Sequence, residues 1–583
     1  MLPNLSKELI GLDKISKNLW WEWNNEATDL FSSIDRELWY DVGKNPIKLL
    51  KEAPYEVLKR LERDTEFLAK YNRVYKNFED YMSKDYRKDL PAVSYFSMEY
   101  GLANPLRIYS GGLGILAGDY LKQASDKRIK MSAVGLLYKH GYFTQQLSIR
   151  GEQIASYEAQ NYSDLPIELI RDEKNNPMNV QVGLPGRIVY IRIWRVNVGR
   201  VPLYLLDTDF ERNNPEDREI THQLYKPGNE NRLKQEMVLG IGGIRALRRL
   251  NIKADVYHSN EGHSAFIGVE RINEYMRQHR LSFAEALEIV RGSTLFTTHT
   301  PVPAGHDVFP DDMMMTYFGH YPDRLKISWE DFLKFGKINP HNKEEQFSMS
   351  YLAANLSQEV NGVSYLHGEV TKKMFHKLWD GYSASESHIG YVTNGVHFQT
   401  WAAKEWKTII SKYFEVPSEQ LEHDNKVWSK VYEIPDKEIW AFREAMRNDL
   451  VKFIKYRINS HFSRQRKSPQ QIVAIQNKVK SNILTLGFAR RFATYKRAHL
   501  LFYDTKRLGE ILNNPECPVQ IIFAGKAHPA DKLGQELIER IVEISKLPAF
   551  LGKIIFLENY DMEIAKKLVQ GVDVWLNTPT RPQ

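Results

Sequence analysis

The sequence predicts an α/β protein with two sheet-bearing blocks behind a helical N-terminal segment. Three observations carry this. From about residue 89 onward, strand, loop and helix patterns alternate repeatedly, which implies parallel sheets covered by helices on both faces. Before that, to about residue 88, the spacing is helical, with Leu12, Ile15, Leu19 and Trp23 on one face. A chain of 583 residues also exceeds what one hydrophobic core accommodates, so two or three domains are expected.

In chain order, the cluster LWWEWNNEA allows a sugar platform or a packed helical core, and the core is the expectation. AVSYFSMEY reads as a strand, and IYSGGLGILAGDYLKQASD as a glycine-rich turn entering a helix. ADVYHSNEGHSAFIGVERI and STLFTTHTPVPAGHDVF repeat the strand, loop, helix pattern. IGYVTNGVHFQTW does so without its helix. A long helix follows in PDKEIWAFREAMRNDLVKFIKYRI, with Asp436 as its cap and Ile439, Phe442, Met446, Leu450 and Phe453 on one apolar face. SRQRKSPQQ reads as a basic surface loop. The second block then shows four strands, in SNILTLGFARRFATYKRAHLL, VQIIFAGKAHPAD, KIIFLENYDMEIAKKL and VDVWLNT, the last a short buried strand over 572–576. The expected boundaries are 1–88, 89–400 and 401–583.

Hydrophobic content of 42% and charged content of 26% suit a globular protein, and a net charge of +7 is a mild excess. It permits an anionic substrate and does not argue for nucleic acid. With one cysteine, Cys517, no intramolecular disulfide and no Cys-based zinc site forms. No apolar run reaches membrane-spanning length and no signal-peptide core opens the chain, so no membrane association and a cytoplasmic location are expected.

Three constellations carry candidate chemistry. SGGLG, Ser110 to Gly114, opens a helix, where backbone N–H groups face an anion; a tight strand–helix turn explains it equally well. Arg490, Arg491, Lys496 and Arg497 follow a strand end, an arrangement that holds phosphate or forms a solvated basic face. His263, His299 and Asn394 sit on three strand exits and suit hydroxyl recognition. No zinc spacing, Gly-x-Ser-x-Gly elbow or Walker A sequence is present, and no metal is expected.

SYFSMEYGL, SGGLGILAGD, SNEGHSAF, TTHTPVPAGHD, VTNGVHFQTW, GFARRFATYKRA, FAGKAHP and DVWLNTPTRP occur in this order. Together they resemble the α-glucan phosphorylases, and more narrowly the short-form bacterial and archaeal branch with an extra N-terminal helical segment. The resemblance implies two Rossmann-like domains of glycosyltransferase-B type, the second incomplete here, with the active site in the cleft between them. It implies phosphorolysis of the terminal α-1,4 bond of glycogen, starch or maltodextrin, releasing glucose 1-phosphate. The implied cofactor is pyridoxal 5′-phosphate on a lysine, its phosphate acting as proton relay, and the implied assembly is a homodimer.

By position, Gly112 matches the glycine whose N–H meets substrate phosphate, and Arg491 and Lys496 the pair that holds it. Arg490 stands where a lysine contacts the cofactor phosphate. His299 matches the histidine that binds the sugar, Asn394 a sugar-hydroxyl ligand, and His263 a histidine of the glucan-side loop. Tyr95, Trp401 and Tyr560 match residues lining the cofactor. Asp561 departs from an arginine common in vertebrate and plant enzymes. The family continues after NTPxRP with the segment bearing the cofactor lysine. This sequence stops before it, so the expectation is a chain that as written is inactive. Two alternatives stay open: a nucleotide-sugar glycosyltransferase of the same fold, and a non-catalytic glucan-binding remnant.

Overall fold

The computed structural model describes residues 5–301, 305–415 and 425–580. It divides into two units, Met1–Tyr142 with Ala159–His397, and Phe143–Glu158 with Phe398–Arg581.

The first unit begins with short helices whose starts are set by Asx side chains. Asn24 accepts from the Ala27 N–H, Asp35 from Leu38, Asn45 from Ile47 and Asp64 from Phe67, at 2.9 to 3.0 Å. Each satisfies a backbone donor that the first helical turn leaves without a partner. The aromatic cluster is core: Trp20, Trp21 and Trp23 are 3–5% exposed, with Trp20 packed on Phe78 and Trp21 edge-on to Trp39. These helices share one continuous core with the sheet that follows.

That sheet has ten strands. Its parallel part runs, side by side, Gly390–Tyr391, Glu359–Gly362, Thr294–Thr297, Val256–Asn260, Val93–Phe96, Met131–Leu136 and Val201–Asp207. Every residue of Met131–Leu136 is buried, as a strand covered on both faces requires. Beyond Val201–Asp207 the sheet turns antiparallel through Arg187–Val198, which pairs with both Asn179–Leu184 and Ile167–Leu169. The carboxyl ends of Val93–Phe96, Val256–Asn260, Thr294–Thr297 and Glu359–Gly362 are consecutive neighbours, so their exit loops share one edge.

In the second unit four parallel strands run in the order Ile554–Leu557, Val519–Ala524, Leu484–Ala489, Val574–Trp575. A hairpin of Thr144–Leu147 and Gln153–Ser156 caps the exits of two of them. Gln145 and Asn559 exchange backbone-to-side-chain bonds at 3.1 and 2.8 Å, and Gln145 Nε2 donates to the Gly525 carbonyl at 3.0 Å.

Three sequence expectations change in this unit. The long helix spans Asp436–Arg464, but Pro435 is its N-cap and Asp436 is the first helical residue, making no side-chain cap bond. Its buried stripe includes Phe442, Met446 and Leu450, then shifts to Val451, Ile454 and Ile458. The basic loop shrinks to 465–468, because Ser468 closes a capping box with Gln471 and starts a new helix at Pro469. The last strand is two residues long, and Val574 and Trp575 are 43% and 38% exposed, because among the described residues it is an edge strand, paired with Leu486 and Gly487 alone.

Candidate functional site

In the first unit the glycine-rich turn is organised by Glu99. Its carboxylate accepts the Ser110 N–H at 2.5 Å, the Gly111 N–H at 3.2 Å and the Tyr225 hydroxyl at 2.8 Å. Two helix-start donors are thereby used inside the protein, which narrows any anion contact to the Gly112 side. The glycines divide in the same way. A Cβ at Gly118 would lie 1.9 Å from the Gly101 carbonyl oxygen, and one at Gly114 would lie 2.7 Å from Tyr109 Cβ. One at Gly112 would meet nothing within 4 Å, so that position alone of the three borders open space.

Next along the same edge stands a polar network around Glu261, 5% exposed, at φ 69° just past the strand Val256–Asn260. Its carboxylate accepts the His299 N–H and the Thr300 hydroxyl, both at 2.8 Å. Burial works to raise its pKa, but its interactions with His299, His306 and His263, the His299 N–H bond among them, outweigh burial and hold it below the usual carboxylate range. His299 Nε2 lies 2.6 Å from Asn260 Oδ1, while Asn260 Nδ2 donates to Ser97 Oγ at 3.1 Å. Since the amide nitrogen is used toward Ser97, the amide oxygen faces His299, which therefore donates from Nε2. Burial pushes the His299 imidazole down to about 4, against the pull of Glu261. It is neutral at pH 7, a form suited to sharing hydrogen bonds with hydroxyls.

His263 belongs to an adjacent cluster. Its Nε2 lies 3.2 Å from Asp307 Oδ2, which is also 3.3 Å from Arg232 Nε. Behind them Glu236 is fully buried, and desolvation, then the Asp307 charge, lift its pKa well above the usual range. Asn394 lies on the exposed stretch after Gly390–Tyr391, its N–H bonded to the Val363 carbonyl at 3.0 Å. Tyr95 is 1% exposed, edge-on to Tyr120 and to His258 with ring centroids 5.0 Å apart in each pair.

In the second unit the basic cluster follows the strand Leu484–Ala489. Its four cations differ in use. Arg497, at φ 49°, donates from Nε to the Thr578 carbonyl at 2.8 Å and from a terminal nitrogen to the Pro579 carbonyl at 3.0 Å. It is a strut for the loop after the last strand. The Arg490 guanidinium donates to Asn577 of that loop. Lys496 is different: among the described residues its ammonium has no hydrogen-bond or ion-pair partner, only the Tyr495 ring at 5.6 Å. Burial, then the charges of Arg490 and Arg491, push its pKa down to about 8. A desolvated cation beside two more calls for an anion.

Tyr560 and Asp561 lie past the strand Ile554–Leu557. Burial raises the Tyr560 phenol, and Asp561 caps the helix Met562–Gly571 by accepting the Ile564 N–H at 2.9 Å. The departure at Asp561 thus has a local structural role. Trp401 ends a short helix, and its carbonyl accepts from Gln570 Nε2 at 3.0 Å. Sequence reasoning missed Glu99, Glu261 and Asp307, although each lies inside or beside a stretch already singled out, SMEY, SNEGH and GHD.

A family model described as carbohydrate phosphorylase matches residues 227–578, more than half of the chain. The chain belongs to the carbohydrate phosphorylase family. His263, His299, Asn394, Trp401, Arg490, Arg491, Lys496 and Tyr560 all fall within the matched span of that family. A second model, described as a protein of unknown function, matches residues 5–106. Among curated relatives, the maltodextrin phosphorylase of Thermococcus litoralis is 45% identical over 585 residues, 99% of this chain and 69% of its own length. The glycogen phosphorylase of Mycobacterium bovis is 39% identical, again over 99% of this chain and 69% of the relative. That of Aquifex aeolicus is 38% identical, over 98% and 82%. Among the described residues no helix is long and apolar enough to cross a membrane, and no side-chain group suits a metal ion.

Proposed function

We propose that this chain is an α-1,4-glucan phosphorylase. It transfers the terminal glucosyl unit of glycogen, starch or maltodextrin to orthophosphate and releases glucose 1-phosphate. The observation that carries the reading is the Arg490, Arg491 and Lys496 cluster at a strand exit, with a Lys496 ammonium that has no counterion among the described residues. The named phosphorylase relatives, similar over 98–99% of the chain, support it.

The chemistry fits these residues. The glycosidic C1–O4 bond breaks, a phosphate oxygen bonds to C1, and the proton of the hydrogen phosphate ends on the leaving O4. Arg491 and Lys496 hold the attacking phosphate and offset its charge, an electrostatic role worth most where water is excluded. Gly112 leaves room for close approach by an anion. The neutral His299, pinned by Asn260 and Glu261, hydrogen-bonds the sugar, with Asn394 and His263 as further glucan contacts. Pyridoxal 5′-phosphate is the family's cofactor, and the same donor set tests its fit. Arg490, beside Lys496, suits a phosphate monoester, and Tyr560 and Trp401 offer aromatic surface. When bound, that phosphate supplies an acid–base group titrating near neutrality, with second pKa about 6.

The test is glucose 1-phosphate formation from maltoheptaose and orthophosphate with pyridoxal 5′-phosphate supplied, against a no-protein blank. Formation that Arg491→Ala or Lys496→Ala slows at least about tenfold supports the assignment; tenfold corresponds to about 1.4 kcal/mol of transition-state stabilisation. Nucleotide release from ADP- or UDP-glucose would instead make the chain a nucleotide-sugar glycosyltransferase. Maltodextrin binding with neither turnover would make it a glucan-binding protein.

A further inference from the structure

A separate cavity opens at the other side of the four-stranded sheet of the second unit, along the edge strand Ile554–Leu557. That strand is two positions away from Leu484–Ala489, which carries the phosphate cluster. The cavity encloses about 70 Å³. Its walls are the last turns of the helices Asp436–Arg464 and Lys532–Ser545, the edge strand, and the hairpin end at Leu147 and Ile149. Ile458, Val542, Leu551 and Ile555 give it an apolar floor, and Arg457, His461, Lys467 and Lys546 also line it.

The charges do not balance. Glu558 is the one carboxylate in the lining, and it is already used. It accepts the Leu147 N–H at 3.0 Å, lies 3.0 Å from His461 Nδ1, and pairs with Arg464. Arg457 donates to the Glu558 backbone carbonyl at 2.9 Å, and Lys546 to the Ile149 carbonyl. Lys467 lies over the Phe462 ring at 4.0 Å. None of Arg457, Lys467 and Lys546 has a carboxylate within ion-pair distance among the described residues. Cations at helix carboxyl ends are ordinary, because they offset the helix dipole, and this accounts for Arg464, which holds Glu558 together with His461, an imidazole that burial pushes down to about 4. It does not account for an apolar recess between two further lysines. Burial lowers the pKa of each; Lys546 lowers that of Lys467 further, while Glu543, outside ion-pair distance, partly opposes the shift at Lys546.

We propose that this cavity binds a small organic anion, with a phosphate or carboxylate head between Lys467 and Lys546 and a short apolar body against Ile458, Val542 and Ile555. An inorganic ion would leave the apolar floor uncovered. A free sugar phosphate would set hydroxyls against a floor without hydrogen-bond partners, a mismatch that costs affinity. The apolar body is therefore part of the ligand class, and the site is independent of the phosphate cluster at Arg491 and Lys496.

The test is calorimetric titration of the full chain with phenyl phosphate, benzoate, phenol and orthophosphate. Phenyl phosphate or benzoate should bind saturably, and which of them binds tighter identifies the head. Phenol and orthophosphate should each bind the cavity at least about tenfold more weakly, since each lacks one half of the recognition. In a Lys496→Ala background, which weakens binding at the phosphate cluster, Lys467→Gln with Lys546→Gln should still weaken phenyl phosphate binding at least about tenfold. Ser545→Trp, which fills the recess without removing a charge, should also abolish it. Absence of saturable binding by either anion overturns the proposal. So does binding lost in Lys496→Ala but kept in the double variant, which would put the ligand at the phosphate cluster. Equal affinity for phenol would show a merely apolar hole, which also defeats it.

Discussion

The carboxylate of Glu261 accepts the backbone N–H of His299 at 2.8 Å. With the Thr300 hydroxyl on the same oxygen, it ties the exit of Thr294–Thr297 to that of Val256–Asn260. One buried carboxylate thus fixes the backbone from which the His299 imidazole projects. Glu261→Ala should leave donors without an acceptor, at about 1–3 kcal/mol for each one that water does not reach. Glu261→Gln keeps an acceptor oxygen and should lose less. Chemical denaturation of the first unit, followed by tryptophan fluorescence, reads the difference. An alanine variant as stable as the parent would show that the contact carries no load.

The glycines of the turn make a second contrast. Gly118→Ala drives a Cβ to 1.9 Å from the Gly101 carbonyl. The backbone must shift, and overpacking of this kind costs about 1–3 kcal/mol. Gly112→Ala meets open space, so its stability should stay within about 0.5 kcal/mol of the parent. If Gly112 borders the phosphate, turnover should fall all the same. Loss of stability at Gly112 equal to that at Gly118 would make the whole turn a packing device.

Much of this was legible in the sequence because the signals are local. The helical spacing of Leu12, Ile15, Leu19 and Trp23 marks the buried face of the N-terminal segment, and strand exits mark where His299 and Arg490 stand. What was not legible depends on pairing between distant segments. The hairpin residue Gln145 meets Asn559 across 414 positions, and no local pattern around it marks that partner. Arg497 resembles its basic neighbours in sequence, yet its carbonyl contacts at Thr578 and Pro579 make it a strut. Glu261 lay inside a quoted motif, but a buried carboxylate is recognised by its donors, which come from another strand. Asp436 failed as a cap because Pro435 took that place and left Asp436 helical.

Arg464 shows what such pairing does to a control experiment. A basic surface loop would make Arg464→Ala silent. In the structure Arg464 ends a long helix and pairs with Glu558, whose side chain is 7% exposed. The arginine is itself half exposed, so solvent screening limits the loss to about 1 kcal/mol. Thermal unfolding of the second unit should detect it. A silent control is Lys506, exposed on the helix Thr505–Leu512. Equal effects of Arg464→Ala and Lys506→Ala on the unfolding midpoint would mean the ion pair is idle.

Lys496 gives the phosphate reading a pH signature. Its pKa is about 8 in the folded chain and 10.5 by its ordinary value, lowered first by burial and then by Arg490 and Arg491. Below pH 8 both states carry the proton, and the folded state bears a poorly solvated charge. Between about pH 8 and 10.5 the unfolded chain still holds the proton that the folded chain has released. The unfolded state then binds more protons, so this residue's contribution to stability rises with pH across that window. Orthophosphate reverses the preference, because an anion stabilises the ammonium. Its affinity should therefore fall above pH 8, by up to about tenfold per pH unit for one linked proton. Lys496→Met removes the group and should flatten both trends, with Arg490 and Arg491 still charged throughout. Titrations of orthophosphate at pH 7.5 and 9.5, and melting curves across the same range, give the comparison. If the methionine variant shows the same fall in affinity as the parent, Lys496 does not touch the phosphate.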